Sequence, residues 1–155
     1  MTLSDPAVYL SLLVFLPAIA ALLLAMLPRL SDETYRLMSL AVTLFVFVLS
    51  LGFFFKDSIE FEAGVAGMQN LFNFAWIPTF GIQYFMGMDG ISFPLVVLTT
   101  FLFVLAMAAS WPINKHVKAY CVLFLLLETG VLGVFLALDF FLFYVFWEVM
   151  LLPMY

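Results

Sequence analysis

Five long apolar runs constrain this chain more than anything else in it. They cover residues 7–27, 37–55, 91–111, 120–138 and 140–155. A helix needs about 20 such residues to cross a hydrocarbon core about 30 Å thick. The last run supplies about 24 Å at about 1.5 Å per residue and has no closing polar residue or flanking charge. The chain therefore reads as stopping inside its fifth helix. The expected fold is all-α: a polytopic transmembrane helix bundle.

The breaks between runs are chemical. Pro28, Arg29 and Ser31-Asp32-Glu33 end the first run, and Lys56 and Asp57 end the second. Pro112, Asn114, Lys115, His116 and Lys118 separate the third from the fourth, and Asp139 marks a tight turn before the fifth. Proline and charge together stop a helix. Pro17 lies inside an apolar run, and Pro94 in a first turn, where proline is tolerated. The acidic N-terminal Asp5 and the length of the first run argue against a cleaved signal peptide and for a retained helix.

Composition agrees with lipid as the solvent. Hydrophobic residues make up 67% and charged residues 10%, against about 25% charged in a soluble domain. A net charge of -5 and the absence of any basic run exclude a nucleic-acid partner. Cys121 is the one cysteine and forms no internal disulfide, and one Cys with one His makes no metal cluster. There is no phosphate loop, no nucleophile paired with a base, and no haem or iron–sulfur ligand set.

Orientation follows from the basic residues. Arg29, Arg36, Lys115 and Lys118 fall in the loops after the first and third helices, and Lys56 stands alone on the other side. The positive-inside rule then puts those two loops in the cytoplasm (or an organellar matrix) and the N-terminus outside. Residues 56–89 become an acidic external loop with Asp57, Glu60, Glu62 and Asp89. Trp76 and Tyr84 suit the headgroup region, and 72–77 and 81–85 read either as short hairpin strands or as an irregular cap.

The informative residues are acids within apolar helices. Glu148 lies about 13 Å below Asp139, and Glu128 about 12 Å from the cytoplasmic end of its run, so both fall near the membrane midplane. A charge there costs at least about 2.5–3.5 kcal/mol and is kept where it faces protein or a water-filled path. Burial favours the neutral acid and a nearby cation the ionised one, a balance that suits a proton relay. The alternatives are a hydrogen-bonded packing residue for Glu148 and a helix–helix contact for Glu128. Tyr144, Glu148 and Tyr155 share one helical face, and Pro153 frees the carbonyl of Val149 beside the acid. No mid-membrane lysine is present to pair with Glu148. Asp139 reads as a cap, and His116 as part of a solvated loop.

The run 133–155, with Asp139 and the ending Trp147-Glu148-Val149-Met150-Leu151-Leu152-Pro153-Met154-Tyr155, closely resembles the M-type subunits of proton-pumping NADH:quinone oxidoreductase, respiratory complex I. The segments from Trp76 to Tyr84 and from Gly87 to Ser92 are similar to that family as well. The resemblance implies an antiporter-like subunit of about fourteen helices, of which this sequence holds the N-terminal third. It makes the acid matching Glu148 the key carboxylate, paired with a lysine beyond Tyr155. Glu128 and Tyr144 are the weaker candidates for proton translocation. FMN, the iron–sulfur clusters and quinone are expected in other subunits. The expected partners are other membrane subunits of complex I, the lipid bilayer and protons, and the expected location is a bacterial inner membrane or an organellar one. Subunits of multisubunit sodium/proton antiporters and membrane-bound hydrogenases share the intramembrane acid, and a non-transporting membrane anchor is the third reading.

Overall fold

A computed structural model describes residues 6–27, 30–52 and 67–154. Asp5, Pro28, Arg29, Lys56, Asp57, Glu60, Glu62, Gly64 and Tyr155 lie outside them. The architecture is mostly helical: α1 (Pro6–Met26), α2 (Asp32–Leu51), α3 (Ser92–Ala109), α4 (Val117–Leu136) and α5 (Phe140–Met154), with a hairpin of β1 (Gln69–Ile77) and β2 (Ile82–Met88) between α2 and α3. Four helices, α1 to α4, are long and apolar enough to cross a membrane. The 15 residues of α5 rise about 22 Å.

Two helices begin earlier than hydropathy alone places them. α2 starts at Asp32, not Leu37, because Ser31 caps it: its side chain accepts from the Thr34 backbone N–H at 3.2 Å. Asp32 and Glu33 then sit in the first turn, where negative charge suits the helix dipole. α4 starts at Val117, not residue 120, behind His116, whose φ of 51° is left-handed. Glu128 is therefore about 16 Å along its helix, somewhat deeper than the apolar run implies.

The basic end of the bundle is tied by long side chains. Lys118 Nζ donates to the carbonyls of Ala25 (2.8 Å) and Leu27 (3.0 Å) at the end of α1. Arg36 donates to Ile113 O (2.6 Å) and Asn114 Oδ1 (2.8 Å) beyond α3. Late helix carbonyls lack helical donors, and cationic side chains satisfy them.

α4 is the central element. Val117, Cys121, Leu125, Glu128, Leu132 and Leu136 recur every three or four residues and are all buried. This stripe enters two apolar clusters. The lower one joins Leu125, Cys121 and Val117 to Ala21, Leu24, Tyr35 and Met107. The upper one joins Leu132 and Leu136 to Leu10, Leu13, Val14, Val46 and Val96.

The hairpin closes the opposite end. Its antiparallel register sets Phe72 against Met86 and Phe74 against Tyr84. A 3-10 turn at Pro78–Phe80 leads to Gly81 at φ 68°, a left-handed conformation that favours glycine. The strands are longer than the sequence indicates, and the α4–α5 turn adds to the ladder. Leu138 N donates to Phe85 O at 2.9 Å, and Met86 bridges Ala137. Tyr84 also shares a 3.0 Å hydrogen bond with Ser11 of α1.

Asp89 joins the hairpin to α3. Its Oδ1 accepts from the backbone of Ile91 (3.1 Å) and Ser92 (2.6 Å), while Ser92 Oγ accepts from Asp89 N at 2.9 Å. The Ser92 hydroxyl first, and then these backbone donors, hold the carboxyl below its ordinary range. A group whose pKa is lower in the folded state adds stability above its unfolded pKa and loses it as pH falls through the folded value. Acidification is thus expected to lower the protection factors of the Ile91 and Ser92 amides (exchange relative to an unstructured peptide at the same pH), and Asp89→Asn to abolish that acid dependence. Protection factors at these amides that do not change with pH would contradict the capping role.

Candidate functional site

α4 and α5 form an antiparallel pair whose spacing is set by two glycines. A Cβ on Gly130 would lie 2.8 Å from Met150 N and 2.9 Å from its Cα, and one on Gly133 would overlap the Phe146 ring. The backbone of α5 therefore runs directly against α4. With Gly130 beside Met150 and Gly133 beside Phe146, Glu148 is level with residues 131–132 of α4. The two acids thus differ by roughly 5 Å in height.

Within one helical turn of each other in height, they do not share an environment. Glu128 is fully buried, within the α4 stripe that packs on α1 and α2. Neither carboxyl oxygen has a hydrogen-bond partner among the described residues. Glu148 is exposed on the far face of α5, over a groove lined by Leu151, Leu152 and Met154. Tyr144, one turn earlier, is also exposed and packs edge-on against Phe140 with ring centroids 4.8 Å apart. The structure does not bring the two carboxyls into one cluster. Pro153 sits in the last turn of α5, which continues to Met154.

Asp139 is a cap. Its Oδ1 accepts from Phe141 N (2.9 Å) and Leu142 N (3.1 Å), filling the first donors of α5, and its Oδ2 accepts from Gln83 N of the hairpin at 3.3 Å. Trp76 of β1 packs edge-on against Phe141, with centroids 6.1 Å apart. The hairpin is thereby fastened to the turn that carries both acid-bearing helices. His116 is exposed at the basic end, remote from both acids.

Sequence reading did not single out a row of buried hydroxyls. Tyr35, Ser39, Thr43 and Ser50 are all buried on α2, and Ser50 shares a 2.8 Å hydrogen bond with Thr100 of α3. Their spacing of four, four and seven residues is the signal that would have found them. Thr129, beside Glu128, is buried with an unpaired hydroxyl among the described residues. It lines an apolar groove of about 450 Å³ whose walls include Phe15 and Ala18 of α1 and Phe146 and Val149 of α5. No group of three or more His, Cys, Asp or Glu among the described residues is placed to hold a metal.

Residues 37–139 match the family model described as NADH-ubiquinone oxidoreductase chain 4, amino terminus. The chain is 41% identical over 150 residues to NADH-quinone oxidoreductase subunit M of Rhodobacter capsulatus, covering 94% of this chain and 28% of that protein. It is 37% identical over 147 residues to NAD(P)H-quinone oxidoreductase chain 4 3 of a Picosynechococcus strain, covering 95% and 26%. It is 35% identical over 144 residues to the chloroplastic chain 4 of Mesostigma viride, covering 92% and 28%. The chain thus spans roughly a quarter of the length of the curated relatives it matches.

The glycine contacts make a packing prediction. Gly130→Ala must push α5 away from α4, and overpacking of this kind costs about 1–3 kcal/mol. A lowered thermal midpoint in membrane or detergent is expected, whereas an unchanged one would show that the two helices are not in backbone contact.

Proposed function

Because this chain belongs to the family described as the amino terminus of NADH-ubiquinone oxidoreductase chain 4, we propose that it acts as a proton-translocating, antiporter-like membrane subunit of NADH:quinone oxidoreductase, complex I. In this reading electron transfer elsewhere in the complex drives proton movement here. FMN, the iron–sulfur clusters and quinone reside in other subunits, and the chain's neighbours are the other membrane subunits. The N-terminus lies outside and the Arg36–Lys118 end inside, following the positive-inside rule.

One observation carries the proposal. Glu148 stands exposed on an apolar helix at mid-depth, over a groove that Leu151, Leu152 and Met154 line among the described residues. A carboxylate facing acyl chains is costly, so this face of α5 suits a covering protein surface that supplies a cation and water. Proximity to a cation that can move or titrate lets the carboxyl take up and release a proton. Tyr144 lies one turn away on the same face and offers a hydroxyl toward that path. Glu128 has a different role in this scheme. Enclosed by α1, α2 and α4, it is an internal acid on the other side of the helix pair.

In the complete complex, Glu148→Gln is expected to cut proton pumping at least tenfold, with assembly preserved. Glu128→Gln should have the smaller effect. The check is proton uptake per electron in reconstituted vesicles, alongside the subunit content of the purified complex. Full pumping by an assembled Glu148→Gln complex would remove the residue from the route.

A further inference from the structure

The two apolar clusters are separated by a layer that apolar packing does not fill. On α4, Leu125 belongs to the lower cluster and Leu132 to the upper one, with Glu128 between them. On α1, Ala21 is in the lower cluster and Leu13 and Val14 in the upper one, with Pro17 between them. On α2, Val42 packs against both clusters, and Thr43 follows it. Glu128, Pro17 and Thr43 are all buried.

A second measure puts Glu128 and Pro17 at one height. Lys118 Nζ is bonded to the carbonyls of Ala25 and Leu27. Glu128 is ten residues along α4 from Lys118, and Pro17 is eight to ten residues back along α1 from the two bonded carbonyls. Each lies about 12–15 Å from that clamp.

The layer holds polar atoms without their usual partners. Pro17 has no N–H, so the carbonyl of Leu13 lacks the helical donor four residues on, and Leu13 is completely buried. Both Glu128 oxygens are unpaired among the described residues. Thr43 donates its hydroxyl proton to Leu40 O at 3.0 Å, leaving oxygen lone pairs toward the layer. Buried backbone and carboxyl acceptors without donors are rare, because each forfeits the hydrogen bonds it made in water. Ordered internal water supplies such donors and commonly makes about three hydrogen bonds at a buried site.

We propose that the carbonyl of Leu13, freed by Pro17, and the carboxyl of Glu128 bind internal water between α1 and α4, beside Thr43. A single water molecule donates one proton to the carbonyl and the other to a carboxyl oxygen. The Thr129 hydroxyl, unpaired among the described residues and on the adjacent wall of the groove that includes Ala18, extends the polar layer toward α5. Water here holds whether or not Glu128 passes protons, so site occupancy and pumping are read independently.

The test is a cryo-electron microscopy map of the assembled complex, detailed enough to show ordered water. The expected result is a water peak bonded to both Leu13 O and the Glu128 carboxyl. In Pro17→Ala the restored N–H takes the Leu13 carbonyl, and the peak should be lost while Glu128 keeps its place. A dry layer, an ion in place of water, or a Glu128 carboxyl bonded directly to another side chain would overturn the site. So would a peak that Pro17→Ala leaves unchanged. The wild-type map decides the matter by itself if the variant does not assemble.

Discussion

Hydrocarbon offers a polar group nothing to bond to, and every other feature of this chain follows from that constraint. Helices satisfy their own backbones, so the apolar runs become helices. The ends of those helices, where donors and acceptors are left over, gather the polar side chains. Ser31 caps α2, Asp139 caps α5, Asp89 and Ser92 cap α3, and Lys118 closes the last carbonyls of α1. The hairpin obeys the same rule, since β2 pairs on one side with β1 and on the other with the α4–α5 turn.

Within that frame, α4 mediates between two environments. One face carries the stripe that packs on α1 and α2 and contains Glu128. Another carries Gly130 and Gly133, which let α5 lie close. Glu148 is held at a fixed height by that contact and points away from it. The geometry gives two acids at nearly one depth, one enclosed by helices and one facing outward. The hairpin, fastened through Asp139 and Phe141, steadies the turn from which both helices descend.

Much of this was legible in the sequence for physical reasons. Run length located the helices, and Asp139 read as a cap or turn residue because it stands at the break between two apolar runs. Helix starts were less visible. Hydropathy discards the polar first turn of α2, although Ser31 and the helix dipole favour it. The facing of the acids was not legible, because Glu128 and Glu148 both sit in runs that are apolar all round. Only packing decides which side is covered. Pro17 read as an isolated proline, and it gained meaning when α1 was found beside α4 at the height of Glu128.

The most direct measurement is the environment of position 148 in the assembled complex. A nitroxide attached at Glu148→Cys, relaxed by oxygen and by a water-soluble reagent in turn, distinguishes acyl chain, protein and water. A probe sheltered from lipid and partly reached by water is the predicted result. A probe that collides freely with oxygen, as in open acyl chains, would contradict a proton route on that face of α5.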